Sequence, residues 1–300
     1  MNMNRSSASF ANFFMLFLLS YNILFAFTLG YLYRNVFYGS FIGELLFSPW
    51  FLSINQIFGL LVPLLIFKGL SKDTVKMPAR PLGLINFVLI LALSLLLQPA
   101  MMFLSGLASL AMPNPVAGIM SDLMTMPLPI ALVLIALTPA ICEELVFRGY
   151  IQTKYENQPI AVSAVINGIF FGIIHLNLHQ FAYAFVMGVI FVFFVHITRS
   201  VYSAVLSHFI INASQFSLGR FAATQIGPEG IEPSRADLLG AIQGIGLLFM
   251  ATLPLVVFLF SLLIKHNKGE AVNSPEEKLP FDHYFFAVLL LFGILVMLLS

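Results

Sequence analysis

Three short clusters of polar residues interrupt otherwise apolar stretches of this chain, and their residue types are those of acid–base or metal chemistry. In "TPAICEELVFRGY", residues 138 to 150, Glu143 and Glu144 are adjacent and Arg148 stands four residues after the second. In "NGIFFGIIHLNLH" Phe171 and His175 are spaced by one helical turn, and in "LSHFIINAS" His208 and Asn212 repeat that spacing. Helical residues four apart share a face, so each pair would address one neighbour. Glu144 and Arg148 are in the favourable order for a helical ion pair, with the acid on the N-terminal side. One carboxylate is thereby neutralised in place, while Glu143, turned about 100° around the helix, is left available for chemistry. Carboxylate, imidazole and amide together could move protons, hold a metal ion or stabilise a developing oxyanion.

The elements that must position these residues are membrane spans. Hydrophobic residues make up 60% of the 300 and charged residues only 9%, whereas soluble domains carry about 25% charged residues. A formal net charge of +1 offers no basic face for nucleic acid. The single cysteine, Cys142, excludes an internal disulfide framework. A bilayer core about 30 Å thick needs roughly 20 apolar residues per helix. Nine runs are candidates: 10 to 33, 50 to 67, 84 to 110, 128 to 150, 159 to 178, 180 to 198, 201 to 218, 238 to 264 and 284 to 300. The predicted fold class is therefore all-α, a polytopic transmembrane helix bundle of about eight or nine spans, forming one integral membrane domain over residues 1 to 300. The first run is longer than the ~7 to 15 residue apolar core of a signal peptide and is read as a retained span.

Basic residues orient the spans, because cytoplasmic loops collect them. With the N-terminus cytoplasmic, the inner side holds Arg5, Lys68, Lys72, Lys76, Arg80, Lys154, Arg199, Lys265, Lys268 and Lys278, and the outer side Arg34, Arg220 and Arg235. The segments "KGLSKDTVKMPAR" and "KHNKGEAVNSPEEKLPFDH" read as solvated inner loops, and "GPEGIEPSRAD" as a turn-rich outer loop. Of thirteen acidic residues, only Glu143 and Glu144 lie well inside a predicted span. Each such placement costs about 2.5 to 3.5 kcal/mol on insertion scales, which marks a functional position; the bland alternative is a helix-locking ion pair. Pro139 is expected to kink its helix and open room beside Glu143. Gly168 and Gly172 form a small-xxx-small pattern that admits a close neighbouring helix. Cys142 reads as buried filler rather than a nucleophile, and His179 as a solvated cap at a span edge.

In order along successive spans, Glu143-Glu144-x-x-x-Arg148, Phe171-x-x-x-His175 and His208-x-x-x-Asn212 resemble the signature of the CPBP family. These are the type II CAAX prenyl endopeptidases and the bacteriocin-processing or self-immunity (Abi) proteins. The resemblance covers residues 128 to 215, which it marks as the catalytic core, and the flanking "ELVFRGYIQ" shares it. It implies an intramembrane endopeptidase surrounded by membrane lipids, acting near the inner leaflet on a membrane-associated, lipidated or otherwise hydrophobic peptide. By this resemblance Glu143 and His175 activate water, with Glu144 able to share the base role, and His208 and Asn212 stabilise the oxyanion. Arg148 and Phe171 order the site. The family is often labelled metalloprotease, and Glu143, His175 and His208 are a reasonable Zn2+ set. The chain nevertheless lacks H-E-x-x-H, and the chemistry can also be written with Glu and His acting on water directly. Two other classes stay open: a non-catalytic bacteriocin self-immunity or scaffold protein, and a proton-coupled transporter, for which no duplicated half is visible.

Overall fold

Residues 7–46, 48–73, 76–112, 117–226, 235–268 and 281–299 are described by a computed structural model. Among them the secondary structure is helical, without strands: α1 (Ala8–Phe37), α2 (Phe41–Leu46), α3 (Phe51–Ser71), α4 (Leu84–Ala111), α5 (Ala117–Thr125), α6 (Leu128–Tyr155), α7 (Ile160–Ile173), α8 (Leu178–Thr198), α9 (Val201–Ile226), α10 (Arg235–His266) and α11 (His283–Leu299). The all-α, multi-pass expectation holds. Helices α1, α3, α4, α6, α8 and α10 are long and apolar enough to cross a membrane, and α7 and the His283–Val296 part of α11 are apolar but shorter. α9 has the length but less apolar character, because it carries His208, Asn212, Ser214 and Gln215. Most of "KHNKGEAVNSPEEKLPFDH" and "GPEGIEPSRAD" lies outside the described residues.

Two proline-linked turns shape the helices nearest the site. Proline has no N–H for the preceding turn, and its ring crowds the carbonyl four residues back. In α6 the turn Val133–Leu137 before Pro139 is widened, with the Thr138 N–H bonded to the Val133 carbonyl five residues back. In α3 the turn Ile57–Leu61 before Pro63 is widened in the same way, the Val62 N–H reaching the Ile57 carbonyl. The expected disturbance at Pro139 thus takes the form of one loosened turn, and the helix continues through it. A third widened turn, Phe147–Ile151, follows the acidic pair. Such turns recur at functional sites because they re-aim side chains without ending the helix.

α7 and α8 form a tight antiparallel pair on glycine contacts. A Cβ built on Gly188 would lie 2.7 Å from the Gly168 Cα, and one on Gly168 would lie 2.9 Å from the Phe185 carbonyl. Phe181 occupies the corresponding position against Gly172. The small-residue pattern therefore does what its spacing predicts. To turn back so closely, the chain ends α7 at Ile173 and begins α8 at Leu178. Leu176 takes a left-handed conformation at φ 54, and Asn177 caps α8 by accepting the Gln180 N–H at 2.7 Å.

The described residues between α3 and α4 are mostly exposed, as expected of a solvated loop, yet they are pinned as a strap across one end of the bundle. Ala79 pairs with Ser200 between α8 and α9, Ser200 Oγ donates to the Arg80 carbonyl at 2.6 Å, and the Val201 N–H donates to the Pro78 carbonyl at 2.6 Å. Lys154, counted among loop charges, is buried and paired with Asp73 at 2.5 Å. A buried ammonium needs such a partner, and the strap supplies it.

Replacing Gly168 by Val should force α7 and α8 apart. Overpacking of this kind costs about 1 to 3 kcal/mol, so the purified variant should melt at a lower temperature than wild type; an unchanged melting temperature would contradict the close crossing.

Candidate active site

The acidic pair sits on the α6 segment Thr138–Val146, between two of the widened turns. Glu144 faces the interior and is fully buried. Arg148 Nη1 lies 3.3 Å from its Oε1 and 3.1 Å from its Oε2, the i, i+4 pairing that the spacing predicts. His208 reaches the same carboxylate from α9, with Nδ1 2.8 Å from Oε1. Arg148 is buried as well. Its Nη2 donates to the Gly188 carbonyl of α8 at 3.0 Å, and its guanidinium lies 4.3 Å over the Phe171 ring and 5.2 Å over Phe191. Arginine suits this position, since its planar cation combines directed hydrogen bonds with stacking.

Because a carboxylate only accepts, the His208 Nδ1 must be the donor to Glu144. That bond fixes the ring and turns Nε2 toward Glu143, whose Oε2 is 4.0 Å away. Glu143 is held differently from its neighbour. Its Oε1 accepts from Gln56 Nε2 of α3 at 2.9 Å, and its Oε2 is buried without a hydrogen-bond partner.

His175 lies in the turn beyond α7, so it does not share a helix face with Phe171 as its spacing suggests. Its Nδ1 donates to the Phe171 carbonyl at 2.9 Å, which leaves Nε2 to accept. The Phe171 ring stands edge to face with both histidines, with centroids 5.6 Å from His175 and 5.8 Å from His208. Asn212, one turn after His208 on α9, donates from Nδ2 to the Ile135 carbonyl at 3.3 Å. Ile135 is four residues before Pro139, the position that loses its usual donor to proline. An amide nitrogen carries two N–H groups, so this bond uses one and leaves one.

Glu143, Phe171, His175, His208 and Asn212 line a single cavity of about 340 Å³, together with Gln56. Glu144 and Arg148 stand behind its wall, touching it only through His208 and Phe171. His179 is not the solvated cap its position suggests: it is buried in the same cavity wall with Nε2 2.9 Å from Ser109 Oγ. Cys142 is a buried, free thiol, as expected of filler. Gln56 is a site residue that the motif spacing misses. Its signal was present in "SINQ", polar residues inside an apolar run, where side-chain polarity needs a reason.

Among the described residues, no group of three or more His, Cys, Asp or Glu side chains is placed to hold a metal ion. The Zn2+ set Glu143, His175 and His208 shares the cavity, and each histidine binds elsewhere only through Nδ1, to Glu144 or to the Phe171 carbonyl, the arrangement in which metal-bound histidines are commonly held. As placed, the three side chains are not gathered around one point.

Residues 125–214 match the protein-family model described as Rce1-like, type II CAAX prenyl endopeptidase Rce1-like. This segment, less than a third of the chain, is thus similar to a CPBP family intramembrane protease, and the long apolar helices make the chain an integral multi-pass membrane protein. No curated protein and no solved structure matches the chain.

The Arg148→Met variant should be strongly destabilised, because removing one partner of a buried pair costs about 3 to 5 kcal/mol. Adding Glu144→Gln should recover much of that loss. A double-mutant cycle on melting temperature checks both, and additive losses would mean that the two side chains do not interact.

Proposed function

We propose that this protein is a glutamate-dependent intramembrane endopeptidase of the CAAX-protease-like kind, with residues 128–215 as its catalytic core. Its substrate is a membrane-tethered, lipidated or hydrophobic peptide. The observation that carries the reading is the Glu143 Oε2, buried and without a partner at the wall of a cavity shared with two imidazoles and an amide. Peptide hydrolysis needs a base for water, a proton donor for the leaving amine and donors for the oxyanion, and this wall supplies candidates for each.

Glu143 takes a proton from a water molecule as its oxygen attacks the scissile carbonyl carbon. His175 Nε2, an acceptor by its Nδ1 bond to Phe171, orients that water. His208 Nε2 in its protonated state and the unused Asn212 N–H stabilise the oxyanion. The proton held on Glu143 passes to the amine nitrogen as the C–N bond breaks, giving a carboxylate and a free amine. Glu144, accepting from Nδ1 and backed by Arg148, holds the His208 ring in the direction this requires, and Phe171 packs both rings. The scheme assigns no step to a metal. Around this core we place nine crossings with the N-terminus cytoplasmic, a reading supported by the six long apolar helices and by the side on which the basic residues collect.

The test is cleavage of a panel of lipidated and leader-type peptides by purified protein, read by mass spectrometry. Glu143→Gln should slow cleavage by about 10²- to 10⁴-fold, the range for a general base, with melting temperature held, and Asn212→Ala by about 10²- to 10³-fold, the range for an oxyanion donor, measured per folded protein because the Ile135 carbonyl also loses its donor. Chelator should leave the wild-type rate unchanged. Full activity of Glu143→Gln refutes the base assignment, and chelator-abolished activity replaces it with a metal mechanism. A self-immunity or scaffold protein would instead keep protecting its host cell when Glu143 is replaced.

A further inference from the structure

The two ends of the bundle differ in charge and in closure. At one end lie Lys68 and Lys72 of the α3 terminus, Arg80 before α4, Lys154 near the end of α6, Arg199 between α8 and α9, and Lys265 near the end of α10. Cross-links between these segments show that they form one end. Asp73 meets Lys154, Ser200 meets Arg80, and Asn86 near the α4 start exchanges hydrogen bonds of 3.0 and 2.9 Å with Asn267 after α10. The opposite end carries Arg34, Arg220 and Arg235. Basic residues collect on the cytoplasmic side of membrane proteins, so the strap end is the cytoplasmic one.

That end is sealed. Met77 of the strap packs onto Gly149, where a Cβ would come within 2.6 Å of its sulfur. Tyr150 donates its hydroxyl to Asp73 at 2.7 Å, beside the buried Lys154, and Tyr155 donates to Asn12 of α1. The crevice on this side, lined by Arg148, Gln152 and Arg199 among others, encloses about 40 Å³. It has room for little more than water, and Glu143, His175 and His208 are not among its lining residues.

The 340 Å³ cavity runs the other way. Its wall beyond the histidines is built from the far parts of the helices: Ser105 late in α4, Met120 and Met124 of α5, Ile135 early in α6, Gln180 at the start of α8 and Gly219 late in α9. His208 lies seven residues into α9 from the strap end, about 10 Å of helix rise. It therefore forms the floor of a cavity that extends toward the opposite end.

We infer that the cavity receives its substrate from the non-cytoplasmic face, so that the bond cut belongs to a membrane-anchored peptide presented on that side. This reverses the inner-leaflet placement expected from sequence. The substrate class rests on the peptidase reading above; the direction of access rests on charge and geometry alone.

The test uses the full-length protein in cells of a bacterial host, in a Cys142→Ala background, with one cysteine restored at a time. Ser105→Cys and Met120→Cys should react with a membrane-impermeant maleimide in intact cells, and Glu156→Cys, exposed at the strap end, only after permeabilisation. The same pattern should persist when Glu143→Gln is added, since labelling needs no catalysis. Reaction of Glu156→Cys in intact cells, with Ser105→Cys and Met120→Cys protected until permeabilisation, overturns the inference. In parallel, the peptide panel is added to sealed right-side-out and inverted vesicles of the cysteine-free protein. Cleavage in the right-side-out set alone supports outer-face access, and cleavage in the inverted set alone overturns it. Expected labelling with no cleavage in either set sinks the peptidase reading while the direction stands.

Discussion

A carboxylate carried into the middle of a lipid-immersed bundle has to be neutralised where it stands, and the neutralisation of Glu144 organises most of what surrounds it. Arg148 alone would leave unsatisfied donors in a dry interior. The structure answers with the Gly188 carbonyl under one guanidinium nitrogen and the faces of Phe171 and Phe191 against the cation. Bringing that carbonyl within reach requires α8 to lie close, and the Gly168–Gly188 contact lets it. His208 then completes the carboxylate from α9. Buried ion pairs of this kind seldom add net stability, since desolvation offsets much of their attraction. Their worth lies in position: one charged pair ties α6, α8 and α9 and aims an imidazole.

The adjacent carboxylates show how far environment separates two identical groups. Glu144 is paired with a cation and an imidazole, whereas Glu143 is held on one oxygen by the neutral amide of Gln56 and presents the other to the cavity. One orders the site and one is available to react, a division that follows from the 100° step between neighbours on a helix. A widened turn flanks the pair on either side. Asn212 does double duty in this arrangement, since the carbonyl it steadies belongs to the turn that Pro139 disturbs.

The strap gives the bundle a direction. Polar and turn-rich, it has the composition of a solvated loop, but its backbone finds partners in Ser200 and Val201 and its Asp73 finds Lys154. Closing one end this way costs a buried ammonium, which Asp73 and the rings of Phe10 and Tyr150 offset. The other end keeps its helices apart enough for a cavity that reaches both histidines.

Much of this was legible in residue order. Apolar runs announced the helices, because a bilayer demands that length and polarity; the Glu144–Arg148 spacing announced its ion pair, because helix geometry is local; Gly168 and Gly172 announced a close crossing for the same reason. The sequence alone thus determined the fold class, the acidic pair and the ordered motifs. Only the tertiary structure decided that His208 belongs to Glu144, that Gln56 holds Glu143, that His175 sits beyond its helix, and that Lys154 is buried under a strap. Those facts depend on which helix faces meet across the bundle, and a contact between residues far apart in the chain leaves no periodic trace in either partner's neighbourhood.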